Sequence, residues 1–339
     1  MYQPFFSHIY IESQVRGHPR AQRILEKFPS AQIIEITHYK DVFCRARQDP
    51  ALQRRSRNLI LAAKSTDGGH MIYPGAPVCQ SFGYKNFYYT SCIMNCVYDC
   101  AYCYLKGMYP SANIVVFVNL EDIFAGVEKL LENGPLYLCV SYDTDLAALE
   151  QVAGYVREWE YFAGKHADRL TVEIRTKCAD QKLFSSSKQK NAIYAFTLSP
   201  QAVIDALEHH TPSLAARISC AAYAVRAGFR VRLCFDPLIY IRGWQEHYRG
   251  MLKEVFASID PDTLTDVSVG TFRIAKDYLK QMRRQEPESA VAWFPYVQKQ
   301  GVCHYPDELM ARMEGGFCEW LANWVPKEKI FLWHEGVHS

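Results

Sequence analysis

SCIMNCVYDCAYCYLKG, residues 91–107, places four of the chain's 12 cysteines between Cys92 and Cys103. Within it Cys96, Cys100 and Cys103 form a C-x3-C-x2-C run. Three thiolates on one loop can hold three irons of a [4Fe-4S] cluster and leave the fourth iron open for chemistry. A ferredoxin run would read C-x2-C-x2-C with a further Cys and Pro, and that is absent. A zinc module would want a second Cys or Cys/His pair at longer separation, and no second pair lies downstream. Cys92 stands outside the run, because 92-96-100 is spaced x3, x3 and only 96-100-103 gives x3, x2. The aromatic Tyr102, just before the last cysteine, is placed to shield a cluster.

Outward from this loop the chain alternates between two periodicities. Downstream, NLEDIFAGVEKLLEN reads as a helix with Asn119 as its cap, Asp122 in its first turn and Gly134 ending it. LYLCVS reads as a strand, and LAALEQVAGYVREWEYFAG as a helix. LTVEIRT and AIYAFTL are strands, and TPSLAARISCAAYAVRAG is a helix closed by Gly228. FRVRLCF, GWQEHYRGMLKEVFASI and LTDVSVGTF repeat the alternation. Repeated β-α units imply a parallel sheet with right-handed crossovers. The fold class is therefore α/β, a partial TIM-like barrel with active residues at the C-terminal ends of its strands. Upstream, HIYIE, HPRAQRILEKF and AQIIEIT read as strand, helix and strand of a smaller α/β lobe. The expected organisation is a basic N-terminal lobe over 1–85, a barrel over 86–285 and a C-terminal extension over 286–339 covering the barrel mouth.

The chain has 339 residues, 49% hydrophobic and 22% charged, which is globular composition. No apolar run reaches the length of a membrane span. The start, MYQPFFSHIYIE, lacks the basic and small-residue features of a signal peptide. Reduced thiols in the cytoplasm are the expected state of the cysteines. A net charge of +2 excludes a globally basic nucleic-acid binder. Residues 1–85 nonetheless hold 12 Lys/Arg against 6 Asp/Glu. Arg45, Arg47, Arg54, Arg55, Arg57 and Lys64 are either a solvated face or a phosphate-contacting patch.

The triad, the aromatic before its last cysteine and the β/α pattern behind it resemble the radical S-adenosylmethionine superfamily. SHIYIE, VYDCAYCYL, VNLEDIF, SYDTDLAALE, EIRTK, AFTLSP, HHTPSLAARISCAAYAVRAGF and FDPLIYIRGWQEHY follow one another as in the spore photoproduct lyase family. This resemblance implies a (β/α)6 radical S-adenosylmethionine barrel. It also implies an enzyme that splits 5-thyminyl-5,6-dihydrothymine, the methylene-bridged thymine dimer of irradiated spore DNA, back to two thymines. The implied cofactors are a [4Fe-4S] cluster on Cys96, Cys100 and Cys103 and S-adenosyl-L-methionine on its open iron, cleaved to a 5′-deoxyadenosyl radical. The implied partners are double-stranded DNA carrying the lesion and a reductant such as flavodoxin or ferredoxin.

By the same resemblance, Tyr102 and Tyr104 match tyrosines that relay a hydrogen atom back to the cofactor. Asp145, Lys177 and Thr197 fall at positions around S-adenosylmethionine, Thr197 standing where the family has serine. Arg217 matches no role that can be named. Arg273 and the aromatic stretch with Tyr296, His304 and Tyr305 are candidates for lesion or phosphate contact, or for plain packing.

One departure concerns the hydrogen donor. The family form is Cys-Thr-Ser-Asp, with the cysteine three residues before the acid. Here the stretch reads Cys139-Val140-Ser141-Tyr142-Asp143-Thr144-Asp145. Aligned on Asp145, Tyr142 takes the donor position. Cys139 is three residues earlier, an offset that turns a strand side chain to the opposite face. The clostridial-type branch looks similar in its YDTD. Cys79, upstream of the loop, is the alternative donor; Cys139 on a bulged strand, or Tyr142, are the others. Tyr142 is also a candidate for contact with the lesion. The competing readings are another radical S-adenosylmethionine enzyme with a different substrate, an electron carrier, and a structural zinc module.

Overall fold

The computed structural model describes residues 6–65, 71–75, 79–185 and 191–333. Seven parallel strands form the main sheet: β1 Phe87–Thr90, β2 Leu136–Cys139, β3 Leu170–Thr176, β4 Ala192–Thr197, β5 Arg230–Leu238, β6 Asp266–Thr271 and β7 Ile330–Leu332. Each pairs in parallel with the next, and Ile72–Pro74 adds an antiparallel edge beside β1. The intervening helices cover the outer face, so alternate side chains of each strand meet either helices or the barrel interior. In β3, Val172 and Ile174 face the helices while Glu173 and Arg175 face inward, and the period of two that read as a strand is this alternation. The fold is the partial TIM-like α/β barrel expected from the sequence.

Three features of the chain's path were not legible. The final strand β7 comes from the C-terminal extension, which therefore completes the sheet besides lying near its mouth. The segment 79–82 bridges the gap between the first and last strands: Gln80 Nε2 donates to the carbonyl of Leu332 at 3.1 Å, and Phe82 packs edge-on against Phe331. The boundary at residue 85 is crossed in both directions. The N-terminal lobe is a five-stranded sheet in the order Gln32–Ile36, His8–Glu12, Leu59–Ala62, Ile114–Phe117, Ile93–Met94, and its last two strands come from beyond that boundary.

Local expectations hold with two physical corrections. The helix Leu120–Leu131 buries Leu120, Ile123, Val127 and Leu131 along one stripe. Its cap residue Asn119, however, spends its side chain elsewhere: Oδ1 accepts from Lys64 N at 2.7 Å and Nδ2 donates to Lys64 O and to Asp122. The cap thus ties the lobe to the barrel rather than closing the helix. The long helix expected over 146–164 is broken at Gly154, whose φ of 75° is a left-handed conformation that glycine adopts without strain. Glu150 then accepts from the amides of Val156 and Arg157, capping the second piece, Tyr155–Lys165.

Candidate active site

A cavity of about 440 Å³ opens at the C-terminal ends of the parallel strands. Its wall includes Cys79, Cys96, Cys100, Tyr102, Cys103, Tyr104, Tyr142, Asp145, Arg175, Lys177, Thr197 and Arg273. All of these but Arg175 are sequence-predicted positions, which therefore meet in one place, though separated by up to some two hundred residues of chain, whereas Cys139, Arg217, Tyr296, His304 and Tyr305 do not line it.

The cysteine loop is held from three sides. Behind it, Arg57 donates to the carbonyls of Val97 and Tyr98 at 3.1 and 3.2 Å, and Arg54 pairs with Asp99 at 3.2 Å. Below it, Asp99–Cys100 pairs antiparallel with Glu208–His209, and Ala101 N donates to Leu207 O at 2.7 Å. On its far end Gly107 lets the helix Leu105–Met108 touch Lys276–Gln285; a Cβ there would lie 2.2 Å from the carbonyl oxygen of Tyr278. Of the six basic residues read as one patch, Arg54, Arg57 and Lys64 are thus committed inside the protein. Lys64 donates to Ser91 O at 2.8 Å, and only Arg45, Arg47 and Arg55 are exposed. A continuous phosphate-contacting patch of six is not present, because the loop's own carbonyls and acids use half of it.

Burial pushes the thiols of Cys96, Cys100 and Cys103 up, Cys100 to about 12. Buried sulfur that must ionise calls for a cationic partner. Among the described residues, no group of three or more His, Cys, Asp or Glu side chains is arranged around a metal ion. A cubane asks for something different, since each thiolate bonds its own iron and the sulfurs need not converge on one point. The donor set, three cysteines on one loop at a cavity wall with Cys100 buried and Cys96 and Cys103 half-buried, fits such a cluster and does not fit mononuclear zinc, which wants four converging ligands.

Lys177 ends β3 with its ammonium 3.7 Å from Cys100 Sγ, 3.9 Å from Glu208 Oε1 and 5.1 Å from the centre of the Tyr102 ring. Glu208 is the residue the sequence did not announce. It accepts from the Tyr102 hydroxyl, from Ser199 Oγ at 2.8 Å and from Arg217. Burial alone pushes its carboxyl up, but Lys177 and Arg217 hold it down to about 2. Arg217, whose role was open, is this buried partner; it also bonds the carbonyls of Pro212 and Thr197. Asp145 lies fully inside the site, with its carboxylate taken by Thr176 Oγ1 and Lys177 N at 2.6 Å and Ala148 N at 3.1 Å. Its contribution is to fix the end of β3, and with it the direction of Lys177.

The second half of the cavity contains the donor candidates. Cys79 is hydrogen-bonded to Tyr142, and burial pushes its thiol up. Tyr142 packs against Phe87 and Tyr89, and the Tyr104 hydroxyl donates to its carbonyl. Arg273 lines the same wall, held by Asp236 at 3.0 and 3.2 Å and stacked on Trp333. Cys139 is elsewhere. It points into the barrel like its neighbours, not to the opposite face, but one layer lower. There it is 0% exposed among Phe82, Phe87, Tyr137 and Ile193, with its thiol 3.8 Å from Glu173. No bulge brings it to the cavity, since β2 pairs regularly with β3 through Cys139. Tyr305 is also corrected. It is 1% exposed, accepts from Tyr240 N at 3.0 Å through its hydroxyl oxygen, and packs with Phe294 and Tyr296; His304 is buried beside it. Its aromatic ring belongs to the core under the hairpin Val297–Lys299/Val302–His304, not to the cavity.

Comparison with known proteins gives one consistent answer. The family model described as spore photoproduct lyase matches residues 85–292. The spore photoproduct lyase of Bacillus subtilis (strain 168) is 23% identical over 278 residues, covering 79% of this chain and 78% of its own. That of Geobacillus sp. (strain Y412MC61) is 22% identical over 271 residues, covering 77% and 76%. A solved mutant spore photoproduct lyase with bound AdoMet and dinucleoside spore photoproduct superposes with a TM-score of 0.82 at 19% identity, over 98% of this chain and all of the other. At that identity the superposition establishes the fold.

Proposed function

This chain belongs to the spore photoproduct lyase family, and on that premise we propose that it is a DNA-repair lyase that splits 5-thyminyl-5,6-dihydrothymine back to two thymines. The observation that carries the reading is the convergence of the three-cysteine loop, Lys177, Thr197, Cys79 and Tyr142 on one cavity. In this reading Cys96, Cys100 and Cys103, which line the cavity, would hold three irons of a [4Fe-4S] cluster. When bound there, the cluster and S-adenosylmethionine supply a one-electron cleavage that yields a 5′-deoxyadenosyl radical, the agent that takes hydrogen from the lesion.

The remaining work falls to side chains. Lys177 presents a fixed positive charge for the carboxylate of S-adenosylmethionine, and Glu208 and Arg217 keep it extended across the Tyr102 ring. Thr197 offers a hydroxyl on the same wall, and Asp145 positions Lys177 through its backbone. A hydrogen-atom donor must hold its proton, and burial keeps the Cys79 thiol protonated at neutral pH. Cys79 gives its hydrogen atom to the thymine radical left after the bridge breaks: the S–H bond breaks, a C–H bond forms and a thiyl remains. Tyr142, beside the thiol, and Tyr104, bonded to the Tyr142 carbonyl, stand where that hydrogen can be restored, with Tyr102 behind them. Cys139 is unsuited, being sealed below the cavity against Glu173.

The lesion is reached in double-stranded DNA by flipping it from the stack, which a damaged pair makes less costly. Arg273, and Tyr142 again, are the wall groups placed to meet it. The reductant is a flavodoxin- or ferredoxin-type protein. The described cysteines are all free, as a reducing cytoplasmic setting requires, and no helix of the described residues is long and apolar enough to cross a membrane. The test is anaerobic incubation of the iron- and sulfide-loaded protein with S-adenosylmethionine, dithionite and a synthetic dinucleotide spore photoproduct. Release of the repaired dithymidine dinucleotide is expected. Intact lesion alongside 5′-deoxyadenosine would show a radical enzyme with another substrate.

A further inference from the structure

The cysteine loop has two sides. One lines the large cavity. The other lines a small niche of about 30 Å³ walled by Arg54, Arg57, Asp99 and Lys106. Cys96, Tyr98, Cys103 and Leu105 border both, so the loop is the partition between them. Outside the niche lies the segment 43–57, seated directly on the loop: Phe43 packs edge-on with Tyr109, and Cys96 and Cys103 touch that same apolar cluster. Gln53 Oε1 accepts from Ala112 N at 2.8 Å, and Gln48 joins the Arg45 carbonyl to Gln53. The segment is therefore a thin, fixed cover over the back of the three cysteines.

Its outer surface is unusual. Residues 40–57 contain six basic side chains and two acidic ones. Both acids are used locally, Asp41 accepting from His38 N and Asp49 from Leu52 N. Arg45, Arg47 and Arg55 are exposed. Leu52, which lies between Arg47 and Arg55 in sequence, is 62% exposed, one helical turn from Arg55. An exposed apolar side chain on a segment that also exposes three arginines matches a protein interface, which combines a desolvated apolar contact with charged groups. It matches a hydrated phosphate backbone less well, since Leu52 offers such a surface nothing.

We propose that the exposed face of this segment, bearing Arg45, Arg47, Leu52 and Arg55, docks an acidic one-electron carrier protein that reduces the cluster from behind while DNA occupies the cavity on the other side. The proposal rests on the reading that Cys96, Cys100 and Cys103 hold the cluster. One electron leaves the carrier and enters the cluster, and no bond forms or breaks at the face. The arrangement separates the two macromolecular partners, so that reduction does not require the lesion to leave.

The experiment uses the loaded holoenzyme carrying Arg45→Glu, Arg47→Glu and Arg55→Glu together, none of which touches the cavity. Repair of the dinucleotide lesion is driven either by a photoreduced bacterial flavodoxin or by dithionite. With flavodoxin, an apparent KM raised about tenfold or more is expected, with its dependence on salt flattened. With dithionite, the turnover and the affinity for lesion-containing duplex should stay within about twofold of the parent. The single variants Leu52→Asp and Arg47→Glu, expected to raise that KM about threefold, serve if the triple variant does not fold. An unchanged flavodoxin KM overturns the proposal. So does a weakened duplex affinity with unchanged KM, which would give this face to the DNA backbone. Failure of the parent protein with dithionite as well as flavodoxin would instead strike the cluster assignment, and the proposal with it.

Discussion

The floor and the mouth of the barrel are built from the same strands two residues apart, yet they behave oppositely. At the floor, Arg232 bonds Tyr137, Glu173 and Asp266 and stacks 3.2 Å from the Phe82 ring centre, while Tyr137 also bonds Glu173. Every charge there faces another and water is excluded. One step up the same strands, Glu173 is followed by Arg175 and Lys177, and Arg232 by Cys234 and Asp236. Of these, Arg175, Lys177 and Asp236 border the open cavity. Buried polar groups alone do not mark a site; groups whose bonding is incomplete on the cavity side do. The two cysteines divide the same way. Cys139 belongs to the floor and Cys79 to the mouth.

The contrast can be broken or sharpened by substitution. The largest effect should come from the mouth's loop: Cys100→Ala is expected to abolish iron and sulfide retention and all 5′-deoxyadenosine formation. Circular dichroism should stay native, and metal analysis checks the loss. Next comes the floor. Arg232→Met leaves Asp266 buried without its cation and Glu173 with Arg175 alone, and should cost about 3–5 kcal/mol in urea unfolding. A cost below about 1 kcal/mol would mean that the network is not sealed as described. Glu208→Gln keeps the shape but removes the charge between Arg217 and Lys177. A loss of about 1–3 kcal/mol is expected, with weaker binding of S-adenosylmethionine measured by equilibrium dialysis.

Smaller and more discriminating is the cysteine pair. Cys79→Ala should still consume the lesion but lower the yield of clean thymine several-fold, with trapped radical adducts visible by mass spectrometry. Cys139→Ala should leave the product ratio unchanged and cost only about 1 kcal/mol of stability. The reverse pattern would move the donor to the floor. Least of all, Tyr305→Phe removes one hydrogen bond to Tyr240 N, worth about 1 kcal/mol, and should not alter lesion affinity by fluorescence anisotropy.

What could be read in advance followed from local pattern. The strand and helix alternation is written in periodicity, and the cysteine spacing names its own chemistry, so the barrel and the loop were legible. Strand β7 was not, because a three-residue strand from the far end of the chain has no local period to announce it. Glu208 was hidden for a similar reason: its pairing with Arg217, Tyr102 and Lys177 is made by tertiary approach, and nothing adjacent in sequence marks it. The basic patch misled because charge on a line of residues does not say which side chains turn inward. Arg57 is buried on the carbonyls of Val97 and Tyr98 while Arg55, two residues away, is exposed. The direction of Cys139 was misjudged because parity was counted through Tyr142, past the end of the regular strand at Cys139, where alternation no longer applies.

The most direct test of the central assignment is electron paramagnetic resonance of the reduced, anaerobically loaded protein, with S-adenosylmethionine carrying nitrogen-15 in its amino group. Adding the nucleotide should shift the [4Fe-4S] signal and introduce a hyperfine coupling to the label. A cluster whose signal is indifferent to the nucleotide, or one that persists unchanged when Cys96, Cys100 and Cys103 are all replaced, would contradict it.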